Sequence, residues 1–261
     1  MAPLLVAGCA LLGLVVGSFL TVVIYRVPRG ESVVRPRSRC PGCGTEIAAR
    51  DNIPVLSWLV LRGRCRHCGE TISVRYPVVE LLTAAVFGLF AWQFRDAVAA
   101  LPGFLWLAGV GIALAAIDID TKRLPNALTL PSYVVGGVLL LLPALVDGDW
   151  PAYLRAWLGA AALFAFYFLL ALVYPAGMGF GDVKLAGVLG LYLGWLGWGV
   201  LVVGGFLGFL LGGVLGGLLM VVGRAGRKTK IPFGPFMILG AFLAVFVGQP
   251  VADWYLGTLG G

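Results

Sequence analysis

Two aspartates border apolar stretches of the chain and have the chemistry to work together as an acid and a base. Asp118 directly follows the apolar run 109–117, and Asp182 closes a Gly-Phe-Gly-Asp sequence that precedes another apolar stretch. Acidic residues are costly in a lipid bilayer, so each is a candidate functional residue. Two carboxyl groups a few ångströms apart cannot both ionise cheaply, so one stays protonated while the other is a base. Such a pair can activate water against a peptide carbonyl, as aspartic proteases do.

The residues around the second aspartate allow two interpretations. Gly179 and Gly181 permit backbone angles and a close approach that side chains would block, so an extended substrate could lie against this turn. Alternatively, Asp182 is a plain helix cap, because a carboxylate also suits a helix N-terminus. Asp120 would lie on a different helix face from Asp118 if that helix continues, which favours a solvated or supporting role.

Four cysteines form two Cys-x-x-Cys pairs, each followed by glycine. They are Cys40 with Cys43 and Cys65 with Cys68. Each short turn presents two sulfurs to one tetrahedral ion, which predicts a zinc site. A closed four-cysteine site has no open position for substrate, so this zinc would organise the segment and take no part in hydrolysis. Two disulfides or a redox-active dithiol pair are the alternatives. We expect His67, the one histidine of the chain, to be an exposed loop residue.

The composition predicts a polytopic membrane protein. Of the 261 residues, 60% are hydrophobic and only 12% are charged, which lies outside the range of soluble domains. Crossing a bilayer takes about 20 helical residues, and backbone groups in lipid must pair internally, so each span should be a helix. We predict about eight transmembrane helices, at residues 4–25, 77–94, 103–117, 126–146, 152–174, 183–196, 198–222 and 231–249. The sixth is short, and the glycine-rich seventh predicts close helix packing.

The positive charges predict the orientation in the membrane. Placing the N-terminus outside and counting alternate spans puts all but two of the 19 Lys and Arg residues inside, the exceptions being Arg95 and Arg155. Both termini would then lie outside, and Asp118 and Asp182 would share the cytoplasmic face. The net charge of +7 therefore reflects topology, and we expect a lipid bilayer as surroundings and no nucleic acid as a partner.

The remaining acidic residues have simpler explanations. Glu80, at the start of the second span, should be solvated or paired with the basic insert. Four aspartates fall in predicted outer loops, where water solvates them. These are Asp96, Asp147, Asp149 and Asp253.

The predicted organisation has three parts. Residues 1–25 form the first transmembrane helix, residues 26–76 a cytoplasmic four-cysteine zinc-binding insert, and residues 77–261 a multi-span peptidase domain. The insert of about fifty residues is too small to build much of a core, so a metal is needed to stabilise it.

Taken together, these motifs resemble the type IV prepilin peptidases, which are GxGD-type membrane aspartic peptidases. The likeness covers most of the chain, including 17–26, the paired cysteine motifs, 52–58 and 76–80. Asp118 precedes Pro125 by seven positions, as in the first catalytic motif of that family, whereas Asp120 does not. The sequence 179–185, Gly-Phe-Gly-Asp-Val-Lys-Leu, is similar to the second motif. Thr21 departs from the asparagine common at that position.

The resemblance implies an activity and a set of partners. It implies a bacterial inner-membrane endopeptidase that cleaves type IV prepilins or type II secretion pseudopilins after a short basic leader, with Asp118 and Asp182 as the catalytic pair. Gly179, Gly181 and Lys184 would belong to the substrate-binding or active-site loop. It further implies N-methylation of the new N-terminus with S-adenosylmethionine. The chain has no strand followed by Gly-x-Gly-x-x-Gly and a helix, so it predicts no Rossmann-type donor site and assigns no residue to the donor.

Two other classes of function compete with the peptidase. A proton-coupled transporter also uses intramembrane acids, but near the middle of the membrane. A membrane scaffold that assembles secretion machinery would depend on the cysteines and not on the aspartates.

Overall fold

A computed structural model describes residues 2–175, 178–222 and 231–259, and within these ranges the regular secondary structure is helical. Nine α-helices are present there, together with short 3-10 helices at Val27–Arg29 and Ala49–Asp51. The α-helices are α1 (Ala2–Arg26), α2 (Leu56–Val60), α3 (Arg75–Gln93), α4 (Leu101–Thr121), α5 (Asn126–Val146), α6 (Trp150–Val173), α7 (Phe180–Leu196), α8 (Trp198–Val221) and α9 (Gly234–Leu259). The predicted all-helical class is confirmed.

Seven of the described helices are long and apolar enough to cross a membrane, namely α1, α3, α4, α5, α6, α8 and α9. The chain is therefore a multi-pass membrane protein. The sixth predicted span corresponds to α7, which has 17 residues and is shorter than the roughly 20 residues that a full crossing requires. Residues Val183 to Gly194 of α7 are almost all buried, so neighbouring helices shelter it, as a short segment in lipid requires.

One detail of the predicted spans is wrong. The eighth span was predicted to end at residue 249, but α9 continues through Pro250 to Leu259. Asp253 therefore lies within a helix and not in a loop, and it accepts a hydrogen bond from Gln249. Arg155, which falls inside the predicted span 152–174, lies in α6, where its guanidinium donates to the carbonyl oxygens of Gly194 and Trp195 at 2.8 and 2.7 Å. These bonds satisfy carbonyl groups that the end of α7 would otherwise leave unpaired.

The chain divides into two compact units, Met1–Leu101 and Pro102–Gly261. In the first unit α1 packs along α3. Glycines make this close approach possible, because a Cβ on Gly13 would stand 2.7 Å from Cα of Ala84, and one on Gly17 would stand 2.7 Å from Cα of Glu80. Helices in a membrane associate through such small-residue contacts.

In the second unit α7 packs against α6, and α8 packs against α9. The glycine-rich span corresponds to α8, and its predicted close packing is confirmed where Gly208 meets Gly240 of α9. A Cβ on Gly240 would lie only 2.6 Å from the backbone nitrogen of Gly208. By contrast, a Cβ on Gly213 or Gly217 would meet nothing within 4 Å. Among the described residues, therefore, only some of the glycines of α8 serve helix packing.

Aromatic contacts align α4 with α7. Phe104, near the start of α4, packs edge-on against Tyr192 and Trp195 near the end of α7, with ring centroids 5.4 and 6.0 Å apart. The two helices therefore run antiparallel, and the last turn of α4 lies at the same end of the unit as the first turn of α7. This arrangement brings Asp118 and Asp182 to one end.

Candidate active site and metal centre

Asp118 lies in the last turn of α4 and is only 4% exposed. Its Oδ2 accepts a hydrogen bond of 3.1 Å from the backbone N–H of Gly234, the first residue of α9. A helix N-terminus carries unpaired N–H groups and partial positive charge, so it is a favourable place for a carboxylate. The start of α9 therefore fixes the orientation of the Asp118 carboxyl group.

Asp182 lies in the first turn of α7 and is partly exposed. Its Oδ2 accepts a hydrogen bond of 3.1 Å from the backbone N–H of Gly179, the N-cap residue. The helix-cap interpretation of Asp182 is thus correct in its geometry. It does not compete with a chemical role, because a carboxylate accepts more than one hydrogen bond.

The two carboxyl groups are close enough to interact electrostatically. The segment between α4 and α5 lies beside both of them. The side chain of Leu124 would be 3.1 Å from a Cβ on Gly181 and 3.4 Å from a Cβ on Gly234. The end of α4, the start of α7 and the start of α9 therefore meet around one leucine.

Lys184 joins the two sequence motifs directly. Its ammonium group donates to Oδ1 of Asn126 at 2.9 Å and lies 4.8 Å from the ring centroid of Phe180. The hydroxyl of Tyr133 donates to the backbone oxygen of Lys184 at 2.7 Å. These contacts fix the start of α5 against the start of α7.

Gly179, Gly181 and Asp120 differ in backbone conformation, packing and exposure. Gly179 has an extended backbone, with φ −79° and ψ 146°, which any residue can adopt. Gly181 is constrained by the close approach of Leu124. Asp120 is exposed whereas Asp118 is buried, as their different positions around the helix predicted.

Two residues at these sites were missed by sequence reasoning. Gly234 was not singled out, although its position between Phe233 and Pro235 is a signal for a helix start, where proline is favoured. Phe233, also not singled out, packs against Tyr167 and Phe209, with ring centroids 6.4 and 5.2 Å apart.

Glu80 was expected to be solvated or paired with the insert. It is 6% exposed, and its partner is the backbone N–H of Val55, which lies in the insert.

The four predicted metal ligands cluster. The sulfur atoms of Cys40, Cys43, Cys65 and Cys68 all lie within 4.8 Å of one another. None of these cysteines forms a disulfide, and the sulfurs of Cys40 and Cys68 are 3.6 Å apart. Four sulfurs at about 2.3 Å from a tetrahedral zinc would be about 3.8 Å apart. The donor set and its spacing therefore fit one zinc ion.

Local hydrogen bonds support the cluster. The side chain of Thr45, 3.3 Å from Sγ of Cys43, is the largest of the contributions that lower the pKa of that thiol to about 6. A thiolate is the form that binds metal. Nearby, Arg66 donates to both carboxylate oxygens of Asp51 and holds the pKa of that carboxyl group below its ordinary value. His67 is exposed, as predicted.

In comparisons with known proteins, two family models match separate parts of the chain. Residues 11–94 match the model of the bacterial peptidase A24 N-terminal domain, and residues 104–221 match that of the type IV leader peptidase family. The chain is 37% identical to a prepilin leader peptidase/N-methyltransferase of Stutzerimonas stutzeri, over 97% of this chain and 95% of the relative. It is 38% identical to one of Aeromonas hydrophila, over 94% and 92%, and 41% identical to one of Neisseria gonorrhoeae, over 74% and 76%. No solved structure matches significantly.

Proposed function

Because the chain belongs to the type IV leader peptidase family, we propose that it removes the leader peptides of type IV prepilins or type II secretion pseudopilins. We propose further that it N-methylates the N-terminus that cleavage exposes. Relatives that cover almost the whole chain carry both activities in their names. The protein is then an inner-membrane endopeptidase with its site at the cytoplasmic face and both termini outside.

In the proposed mechanism, Asp118 and Asp182 form the general acid and base of the hydrolysis. One carboxylate takes a proton from water as the water oxygen attacks the scissile carbonyl carbon. The other carboxyl group donates its proton to the carbonyl oxygen. The first carboxyl group then passes the proton that it took from water to the leaving amine as the C–N bond breaks, and the second regains a proton from a hydroxyl of the intermediate as the carbonyl re-forms. The observation that carries this proposal is that the end of α4 and the start of α7 present two carboxyl groups beside Leu124, each held through Oδ2 by a backbone N–H. In this proposal each Oδ1 would act on water and substrate.

The neighbouring residues have positioning roles in this proposal. The turn formed by Gly179 and Gly181 gives an extended substrate access to Asp182, since neither residue has a side chain. Lys184 acts through Asn126 by holding the two motif segments together, and its bond to that residue favours this role over direct contact with substrate.

We assign zinc to the four cysteines as a structural ion. It would be held by Cys40, Cys43, Cys65 and Cys68 and would stabilise the segment between α1 and α3, because a four-thiolate site has no position left for a reacting group. S-adenosylmethionine, the methyl donor implied by the names of the relatives, would supply an electrophilic methyl group to the second reaction.

Replacement of each acid tests the peptidase proposal. Asp118→Asn and Asp182→Asn should each stop leader removal from a co-expressed prepilin, whereas Asp120→Asn, an exposed residue two positions from Asp118, should leave it intact. Membrane insertion and protein level, measured by immunoblotting of membrane fractions, should be unchanged in all three. Normal processing by either of the first two variants would refute the assignment.

A further inference from the structure

The peptidase proposal leaves the second activity without an assigned residue. The type IV leader peptidase model covers 104–221 and contains both Asp118 and Asp182. The residues matched by the separate N-terminal model, 11–94, fall within the first compact unit. The methylation activity named in the relatives is therefore best sought in that unit, an inference that rests on the proposed function.

Methylation of an N-terminus needs a group that accepts a proton. The amino group exposed by cleavage is an ammonium at neutral pH, and its nitrogen has no lone pair until a proton leaves. A carboxylate can both attract the ammonium and take the proton, provided that no cation already neutralises it. The acidic residues of the first unit are the candidates for this role.

Most of these acidic residues are unsuited to it. Glu31 and Glu70 are exposed to solvent. Three others are paired with arginine. The pairs are Glu46 with Arg39, Asp51 with Arg66, and Asp96 with Arg95. Glu80 is the buried acidic residue of the described part of this unit, and it has no ion pair with Lys or Arg there.

The backbone that contacts Glu80 is strained at Val55, the residue directly before α2. Oε2 of Glu80 accepts a hydrogen bond of 2.7 Å from the N–H of Val55. Val55 has φ 60° and ψ −50°, and the N–H of Leu56 bonds to the oxygen of Pro54 across it. This is a γ-turn with positive φ, a strained conformation that is especially unfavourable for a β-branched residue. Strain of this kind clusters at ligand sites and active sites.

The surroundings of Glu80 hold the strained turn in place. Ser57 accepts a hydrogen bond from the N–H of Ile53 and donates to the oxygen of Arg50. On the other side of Glu80, Gly17 of α1 has no side chain, and a Cβ there would clash with the Glu80 backbone. One carboxylate oxygen is thus engaged with the backbone, and the second retains capacity to bind a ligand.

We propose that Glu80 receives the new amino terminus of the cleaved substrate and takes its proton before methylation. The Glu80 carboxylate binds the α-ammonium group and accepts one proton, which leaves a lone pair on nitrogen. The nitrogen–methyl bond then forms as the bond between methyl carbon and sulfonium sulfur breaks, and the electron pair of that bond remains on sulfur. The carboxyl group afterwards returns its proton to water.

Glu80→Gln separates this role from a structural one. Glutamine keeps a side-chain oxygen that accepts the Val55 N–H, but it removes the charge and the base. With the purified full-length protein, a prepilin and S-adenosylmethionine, mass spectrometry should detect cleavage at the wild-type rate and methylation reduced by about 100-fold or more. Glu46→Gln, a surface control of the same chemistry, should leave both rates unchanged.

A binding measurement without methyl donor provides a second readout. By calorimetry, the wild-type protein in detergent should bind a short apolar peptide with a free N-terminus roughly tenfold or more tightly than its N-acetylated form. In Glu80→Gln this preference should disappear.

Three results would overturn the assignment of Glu80. These are wild-type methylation by the variant, an undiminished preference for the free amine, and loss of bound zinc or of thermal stability, which would indicate a structural role. Failure of the wild-type protein to cleave prepilin would instead defeat the proposed function.

Discussion

Replacing Gly234 by alanine should misplace the Asp118 carboxyl group without disturbing the fold. A Cβ on Gly234 would stand 2.7 Å from Oδ2 of Asp118, whereas ordinary contact begins near 3.4 Å. The carboxyl group or the start of α9 must therefore move by about 0.7 Å, the difference between these two distances. Gly234 begins a helix, and alanine is a better helix former than glycine, so the helix itself should persist.

The size of the effect follows from this displacement. A misplacement of about 1 Å in a catalytic geometry costs about 100-fold in rate. Scaled to about 0.7 Å, the loss in kcat/KM is roughly 30-fold, equivalent to about 2 kcal/mol of transition-state stabilisation. The loss should fall mainly on kcat, because Gly234 contacts the acid and has no assigned role in binding substrate.

The assay is leader cleavage by purified protein in detergent, followed over time at several prepilin concentrations. Gly257→Ala is the matched control, since it makes the same change in the same helix at a position where a Cβ meets nothing within 4 Å. Activity of Gly234→Ala within about threefold of the wild type, with Asp118 still required, would refute the argument that this contact positions the acid.

Three further predictions concern other contacts. Lys184→Met removes the hydrogen bond to Asn126 and should lower kcat/KM for cleavage by about tenfold, since bonds to charged groups contribute about 1.5–3 kcal/mol; unchanged kinetics would contradict it. Arg155→Ala removes two bonds to the end of α7 and should destabilise the protein by about 3 kcal/mol, as a lowered melting temperature in detergent, whereas exposed Arg95→Ala should not. Cys43→Ala should reduce bound zinc, measured by elemental analysis, from about one per chain to near zero; retained zinc would exclude Cys43 as a ligand.

Local patterns in the sequence predicted much of the architecture. Long apolar runs identified each membrane helix, because lipid leaves the backbone few alternatives to a helix. The Cys-x-x-Cys pairs predicted a cluster that the structure contains, since each short turn by itself brings two sulfurs together. Asp118 and Asp182 stood out because acids next to apolar segments are expensive. In each case the signal lies within one continuous stretch of sequence.

Contacts between distant segments could not be predicted in the same way. Gly234 and Asp118 are 116 residues apart, and no local pattern links them. Glu80 was expected to be solvated or paired, because nothing in the sequence indicates that the backbone of Val55 lies against it. The eighth span was predicted to end at residue 249, yet α9 continues through Pro250. Proline lacks one donor, but a helix in a membrane protein tolerates it when neighbouring groups satisfy the backbone.

The most direct test of the central proposal is a double-mutant cycle on leader cleavage. If the carboxyl groups of Asp118 and Asp182 act as one unit, each Asp→Asn replacement should lower kcat/KM by about 1,000-fold or more. The double variant should then be no slower than the slower single variant, because the unit is already lost. A double variant whose loss equals the product of the two single losses, or a single variant near wild-type activity, would contradict the proposed pair.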